Sequence, residues 1–505
     1  MADHAFFMME STYDKLLTEC KRLDRLGSIG GFLAWDERVL MPPKSGELRA
    51  EQSAALAELV HREAIRPDIG RQIEELEAQW SDLTPPQQAV VRDARRDYDE
   101  RTRLPSAFIA RKTKARTASY QAWVRARRED DFAVFLPYLE EQLELAGEQA
   151  NYLDATDPYD YWVDQFDPGM TAGIIEPLFN ELRPQLKEIV ETILAAPEQP
   201  DKTALRGFPV EEQERFLKEV VRDLGFDFDR GRIDSTVHPF CGGHGRDIRM
   251  TTRYDPDNPL DSLSSAMHEA GHAMYEQGLP DEFAGTALGS AVGMAVHESQ
   301  SRLWENQVGR SREFWTYYEP KYRAAFPEPL RSFSPEDLFR AINQVALTPI
   351  RVDADEVTYN LHILLRFEME KALFDGSLKP ADLPEAWNAA STRIIGYTPK
   401  NNAEGCLQDL HWCEGLFGYF PSYCLGNLLA AQLWYRILED LPDLPQQVAR
   451  ADFQPLLQWL RTNVHQRGRL TYTNDFAREV TGTELSSEAL VRYLRERYLP
   501  LYSPF

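Results

Sequence analysis

The chain has 505 residues, 43% of them hydrophobic, and a formal net charge of -25, so it can fill a large core and would repel a phosphate backbone. No run approaches the ~18 apolar residues of a membrane span, and the acidic start Met1-Ala2-Asp3-His4-Ala5 lacks the basic and apolar regions of a secretory leader. The five cysteines, Cys20, Cys241, Cys406, Cys413 and Cys424, follow no zinc or redox spacing and read as packing residues of a reducing compartment; the expectation is a cytoplasmic protein with neither nucleic acid nor membrane as partner.

Leu16, Leu17 and Leu23 recur at helical spacing over 11–26, with Gly27 as the expected stop and a turn from Trp35-Asp36 to Pro42-Pro43. Helical patterns follow at 47–61, at 85–100 and beyond Pro105, where the basic residues from Arg111 to Arg128 read as a solvated face because Glu129, Asp130 and Asp131 come next. Residues 132–152 and 174–196 read as helices and 159–167 as an aromatic, acidic connector, while the proline-bearing stretch 197–209 is the best linker candidate. Phe216, Leu217, Val220, Val221 and Leu224 define another helix, closed by Gly225. Between 226 and 254 the pattern changes: 233–240 and 246–253, separated by Gly242-Gly243, are predicted to pair as a small hairpin. Such a strand beside a metal helix can hold a peptide by backbone hydrogen bonds. After Arg302 helices resume, interrupted near Pro327, Pro329, Pro335 and Pro349. Without repeats or sustained heptads, the expectation is one mainly α-helical domain over 1–505, wrapped around a deep cleft with a minor sheet at its wall.

The chemistry centres on His268-Glu269-Ala270-Gly271-His272, in a helix expected to start at Asn258-Pro259 and stop at Gly278 before Pro280. Residues i and i+4 share a helix face, so His268 and His272 can offer ring nitrogens to one metal ion. Glu269 then stands where a carboxylate can take a proton from water acidified by the ion. A hydrolytic site of this kind has three protein ligands and one open position. Glu276 continues the series but lies roughly 12 Å along the axis from His268, too far to converge with it. The extended metzincin pattern fails, because Tyr275 and Gly278 stand where its glycine and third histidine belong. The remaining route is a second helix starting at Met294, from which His297 or Glu298 can supply the third ligand. Five of the ten histidines fall between 238 and 297, which locates the site independently.

Together with His297-Glu298-Ser299-Gln300, the pentad resembles the carboxypeptidase Taq family of metallocarboxypeptidases, and further family motifs follow in order. They are His238-Pro239-Phe240, Asp247-Ile248-Arg249-Met250-Thr251, Ile350-Arg351-Val352-Asp353-Ala354-Asp355, and Gly405-Cys406-Leu407-Gln408-Asp409-Leu410-His411-Trp412. Trp35-Asp36, Met41-Pro42-Pro43 and the tyrosine-rich tail near Tyr498 extend the likeness over nearly the full length. The resemblance implies a two-lobed helical peptidase fold similar to the angiotensin-converting enzyme and neurolysin class, and Glu298 as third ligand. It further implies one zinc ion per chain, with cobalt as a possible substitute, and a homodimer. His411, and Tyr423 in Gly418-Tyr419-Phe420-Pro421-Ser422-Tyr423, correspond to its oxyanion donors.

Removing a C-terminal residue requires capture of a free carboxylate, best done by a bidentate arginine. Arg351 is the first choice and Arg249 the second, with Asp353 and Asp355 as its expected positioners or as outer partners of a ligating histidine. His238 and Gln300 are expected in the cleft wall. The expected activity is release of C-terminal residues from peptides with a free carboxylate, with Glu269 as general base. An internally cutting oligopeptidase and a non-enzymatic helical scaffold with a structural metal are the competing readings.

Overall fold

Proline and glycine punctuation divides the chain into helices of one to ten turns, and in the computed structural model, which describes residues 2–203, 205–236 and 240–502 and the side chains of these other than 2–11 and 244, most expected segments are in place. The first half comprises α1 (Ala2–Val39), α2 (Gly46–Ala64), α3 (Pro67–Glu77), α4 (Pro85–Arg103), α5 (Ser106–Glu129), α6 (Leu136–Tyr152), α7 (Pro158–Phe166), α8 (Ala172–Leu194) and α9 (Val210–Leu224). After three short strands come α10 (Pro259–Gly278), α11 (Met294–Arg302), α12 (Arg312–Ala325), α13 (Pro335–Ile342), α14 (Tyr359–Phe374) and α15 (Leu383–Ile394). The chain closes with α16 (Phe420–Asp440), α17 (Leu444–Val448), α18 (Gln454–Asn463), α19 (Thr473–Thr481) and α20 (Glu488–Tyr502). The fold is mainly α-helical with one small sheet, as expected.

Local chemistry explains the boundaries and three departures from expectation. Thr84 and Gln87 form a capping box ahead of α4, and Gly225 takes the left-handed conformation that ends α9. Gly27, by contrast, does not stop α1, which runs on to Val39. Each helical glycine costs about 1 kcal/mol relative to alanine, but Leu16 and Trp35 are buried along the same helix and Arg49 of α2 bonds Asp36 and the Leu33 carbonyl, so tertiary contacts win. The stretch 159–167 is a helix rather than a connector: the Asp157 carboxylate accepts from the Tyr159 and Asp160 amides, and Pro158 occupies the first turn. The stretch 197–209 is no linker, since Leu205 and Phe208 are buried in the main core and the Phe208 amide bonds the Pro256 carbonyl.

The sheet corrects the hairpin. Its order is β1 (Gly231–Ser235), β3 (Asp247–Thr252), β2 (Cys241–His244), and β1 runs parallel to β3 with Ile233 opposite Met250. The antiparallel partner of β3 is β2, with Cys241 opposite Met250. Gly242-Gly243 is therefore inside a strand. Gly243 has φ 126°, and a Cβ there would sit 2.2 Å from the Asp247 carbonyl oxygen, so only glycine lets β2 approach β3. Ile248 and Met250 face the core and pack toward α10, whereas Arg249 alternates to the other face, toward α1.

One continuous core spans Trp123 to Tyr502, while Leu16, Ile69, Ile73, Leu76, Leu83 and Val91 form a separate small core under α1, α3 and α4. Ala89 and Val90 join that lobe to Ala287 and Leu288 beside α10 and α11.

Candidate metal centre

α10 is pinned by Leu263, Met267 and Met274, each buried, each contributing about 1.5–3 kcal/mol of transfer free energy. Its opposite face carries His268 and His272 toward α11. Gly271, between them, makes the approach possible: a Cβ there would lie 2.6 Å from the Gln300 carbonyl oxygen and the Ser301 Cα. α11 starts at Gly293, where the buried Asp167 carboxylate accepts from the Ala295 amide at 2.7 Å and from Ser422 of α16 at 2.5 Å. That anion sits at the helix N-terminus, where the backbone dipole favours it. The far side of α11 packs along α16, where a Cβ on Gly426 would be 2.6 Å from Glu298 Cβ and Cγ.

These contacts bring together His268 Nε2, His272 Nε2 and Glu298 Oε2, the one group of metal-ligating atoms found among the described residues. The two nitrogens are 3.2 Å apart, and the oxygen lies 3.6 Å from His268 and 3.5 Å from His272. Ligands held at ~2.0–2.2 Å by a tetrahedral ion are separated by about 3.2–3.6 Å, so the trio fits one ion with a fourth position free of protein.

The outer ring of partners fixes each ligand. His268 Nδ1 is 2.9 Å from Glu305 Oε2, and Ser264 donates to the other Glu305 oxygen at 2.7 Å. Arg302 donates to Glu298 Oε1 at 2.7 Å and to Glu305 at 3.1 Å, leaving Glu298 Oε2 to face the histidines. Glu305 reaches this position because α11 continues into a π-helical turn, Leu303–Val308, a feature frequent at functional sites. Burial opposes ionisation of Glu298, yet Arg302 and His268 hold its carboxyl well below the usual range. Burial likewise opposes Arg302, whose bonds to the two carboxylates keep it charged. Burial lowers the His272 pKa to about 3, so this ring is neutral and its lone pair available.

Glu269 is buried, and no hydrogen bond ties its carboxylate among the described residues. Burial pushes its pKa up to about 7, against a counteracting pull from His268. An uncommitted carboxyl titrating near neutrality beside three ligands suits a proton carrier.

A cavity of about 720 Å³ opens from His268, lined also by Arg302, Glu305, Arg351, Tyr359 and Tyr423. The buried Arg351 donates from Nε to Asp409 Oδ1 at 2.9 Å and from Nη1 to the Tyr359 hydroxyl at 2.9 Å. Arg366, fully buried behind it, holds the second Asp409 oxygen at 2.6–2.7 Å. Two guanidiniums thus share one carboxylate, leaving a net charge of +1 beside the cavity. His411 Nε2 is 3.3 Å from the Tyr423 hydroxyl, and burial lowers the histidine to about 3 while raising the Tyr423 phenol well above its usual range.

Not every expected residue joins this group. Arg249 pairs with Asp247 at 2.8 Å and stacks over Phe32 and Trp35 of α1, outside the residues lining the cavity. His238 lies outside the described residues. Gln300 turns away and bonds His465 at 3.1 Å. Asp355 is consumed by the Ala346, Val357 and Thr358 amides, and Asp353 sits exposed at the rim. The posts expected for these two aspartates belong to Asp409 and Glu305. Arg302 and Glu305 had a legible signal, four and seven residues after Glu298 on one helical face; Arg366, from a distant helix, had none.

The close approach at Gly426 gives a direct test of the packing. Gly426→Ala is expected to push Glu298 off the histidines and weaken metal binding, at an overpacking cost of about 1–3 kcal/mol; titration with a divalent metal ion and thermal melting read the two effects separately.

The sequence profile of the carboxypeptidase Taq (M32) metallopeptidase family matches residues 15–498. The thermostable carboxypeptidase 1 of Thermus thermophilus is 42% identical over 98% of this chain and 99% of its own length. Carboxypeptidase 1 of Bacillus subtilis is 37% identical over 97% and 99%. The crystal structure of an M32 carboxypeptidase from Deinococcus radiodurans R1 superposes with a TM-score of 0.94 at 41% identity, covering 97% of this chain and 99% of that one.

Proposed function

The chain belongs to the carboxypeptidase Taq (M32) metallopeptidase family, and from that premise we propose a zinc-dependent carboxypeptidase that removes residues one at a time from the C-terminus of peptides. The carrying observation is a cavity lined both by His268 of the His268, His272 and Glu298 trio and by Arg351, whose cluster with Arg366 and Asp409 carries one unbalanced positive charge. The trio would hold one zinc ion, with cobalt also suited to two imidazoles and a carboxylate. When bound, the ion polarises the scissile carbonyl and acidifies water.

The remaining steps belong to the protein. Glu269 takes the proton of the attacking water and delivers it to the departing amine. Tyr423, which keeps its proton because burial raises its pKa, donates to the developing oxyanion, with His411 at 3.3 Å as its partner. Arg351 receives the substrate's terminal carboxylate, and the buried Asp409 and Arg366 hold its guanidinium in one orientation. Arg249, committed to Asp247 and to the rings of Phe32 and Trp35, is not given the carboxylate-receptor role.

We take 1–505 as one catalytic domain, supported by a family match across 15–498. No helix of the described residues is long and apolar enough to cross a membrane, and the five cysteines are unpaired, which supports the cytoplasmic assignment. The homodimer rests on resemblance alone.

The test is hydrolysis of one free-carboxylate peptide, followed by mass spectrometry, before and after chelation and zinc add-back. A ladder of products shortened stepwise from the C-terminus, abolished by chelator and restored by zinc, is the expected result. Two internal fragments would favour the oligopeptidase reading, and chelator-insensitive inactivity the structural-metal one.

A further inference from the structure

We propose that His297 and Glu276 form a hydrogen-bond relay that fixes the tautomer and orientation of His272 and thereby the strength with which the site holds its metal; this rests on the trio binding an ion. His297 precedes Glu298, and either residue was a possible third ligand from spacing alone. In the structure both of its ring nitrogens are spent elsewhere. Nδ1 lies 2.6 Å from His272 Nδ1, and Nε2 lies 2.9 Å from Glu276 Oε1.

The direction of the relay follows from donor and acceptor chemistry. An ionised carboxylate only accepts, so the proton of the His297–Glu276 bond sits on His297 Nε2. A neutral ring carries one proton, so His297 Nδ1 is an acceptor. The proton of the 2.6 Å contact then belongs to His272 Nδ1, which leaves the His272 Nε2 lone pair pointing at Glu298 and His268. Each bond therefore runs outward from the metal position, and the charge that polarises it comes from Glu276, one helical turn beyond His272 on α10. The pentad's i, i+4 series does reach the metal at its next member, but only through an interposed ring.

The two ligating imidazoles are thus backed differently. His268 meets a carboxylate directly, at Glu305, whereas His272 meets one at a remove of a ring. The relay also couples orientation to helix docking, because two consecutive residues of α11 supply the outer partner of one ligand and the third ligand itself. The Tyr275 ring, 5.1 Å from that of His297, holds the relay ring in place.

Zinc dissociation from the full-length protein, followed with a chromogenic chelator, tests this alongside the melting temperature of the metal-free form. His297→Phe keeps a ring of similar shape but no acceptor, and is expected to weaken zinc binding by about 10- to 100-fold. His297→Asn loses the ring but puts Oδ1 near the position of Nδ1, and is expected to recover most of that loss. A role in packing alone predicts the reverse order, and that order would overturn the relay. Should the ring variants fail to fold, Glu276→Gln, at the half-buried end, decides: weaker zinc with unchanged apo melting supports the relay, and unchanged zinc affinity overturns it. If the wild type itself binds no zinc, the metal site is wrong; if it binds and His297→Phe matches it, only the relay is.

Discussion

Glu269→Gln is expected to take up one zinc ion per chain as the wild type does while kcat falls by about 10²- to 10⁴-fold, the range of a lost general base. The separation of the two readouts is the point. Ligation depends on His268, His272 and Glu298, whose atoms lie within 3.6 Å of one another without help from Glu269. Glutamine fills the same space and cannot accept the proton. A second signature comes from linkage in the metal-free protein. The Glu269 carboxyl is raised from 4.5 to about 7 on folding, so between those pH values the folded apo-protein retains a proton that the unfolded chain has lost. Stability attributable to this group therefore falls as pH rises through that window, and the glutamine variant should show a flatter melting profile there. Near-normal turnover in a zinc-replete sample would sink the base assignment, whatever the melting data say.

How far the sequence reached depended on whether a signal was local. The pentad, the start of α10 at Asn258-Pro259 and its end at Gly278 are written in consecutive residues, and the structure reproduces them. The sheet was half legible: the strand runs were near their places, but the glycines that read as a turn are inside β2, because a strand with φ 126° at Gly243 looks like a loop in sequence. The end of α1 is not legible locally, because the burial of Trp35 against Phe240, more than 200 residues away, outweighs the poor helix formers Gly27, Gly30 and Gly31. Outer partners were the least legible. Glu305 has only its spacing seven residues after Glu298 to mark it, blurred by a π-helical turn that shifts register, and Arg366 comes from α14, where no spacing points to it. Asp409, in contrast, is two residues before His411 in the motif Gly405-Cys406-Leu407-Gln408-Asp409-Leu410-His411-Trp412, where the sequence does carry it.

Arg351→Ala is expected to lower kcat/KM on free-carboxylate peptides by about 10²- to 10³-fold, since removing a charged partner from a desolvated pair costs about 2–5 kcal/mol. On the same peptides with an amidated terminus, which lack the charge that Arg351 answers, the wild type is already slow and the variant should be nearly equal to it. Folding is expected to survive, because Asp409 keeps both of its bonds to Arg366 at 2.6–2.7 Å and is not left as an unpaired buried anion. Removal of Arg351 also leaves Arg366 and Asp409 as a charge-balanced pair, so this part of the cavity wall loses its positive charge. If both peptide classes lose activity by the same factor, Arg351 is a structural residue of the loop that begins at Ile350, and the carboxylate receptor must be sought among Arg302 and Arg310, the other guanidiniums in the same cavity. Of those two, Arg302 is already committed to Glu298 and Glu305, whereas Arg310 donates to Asn306 at 2.9 Å and the Ile342 carbonyl at 2.7 Å. Arg310, free of any carboxylate hydrogen bond among the described residues, would then be the next to replace.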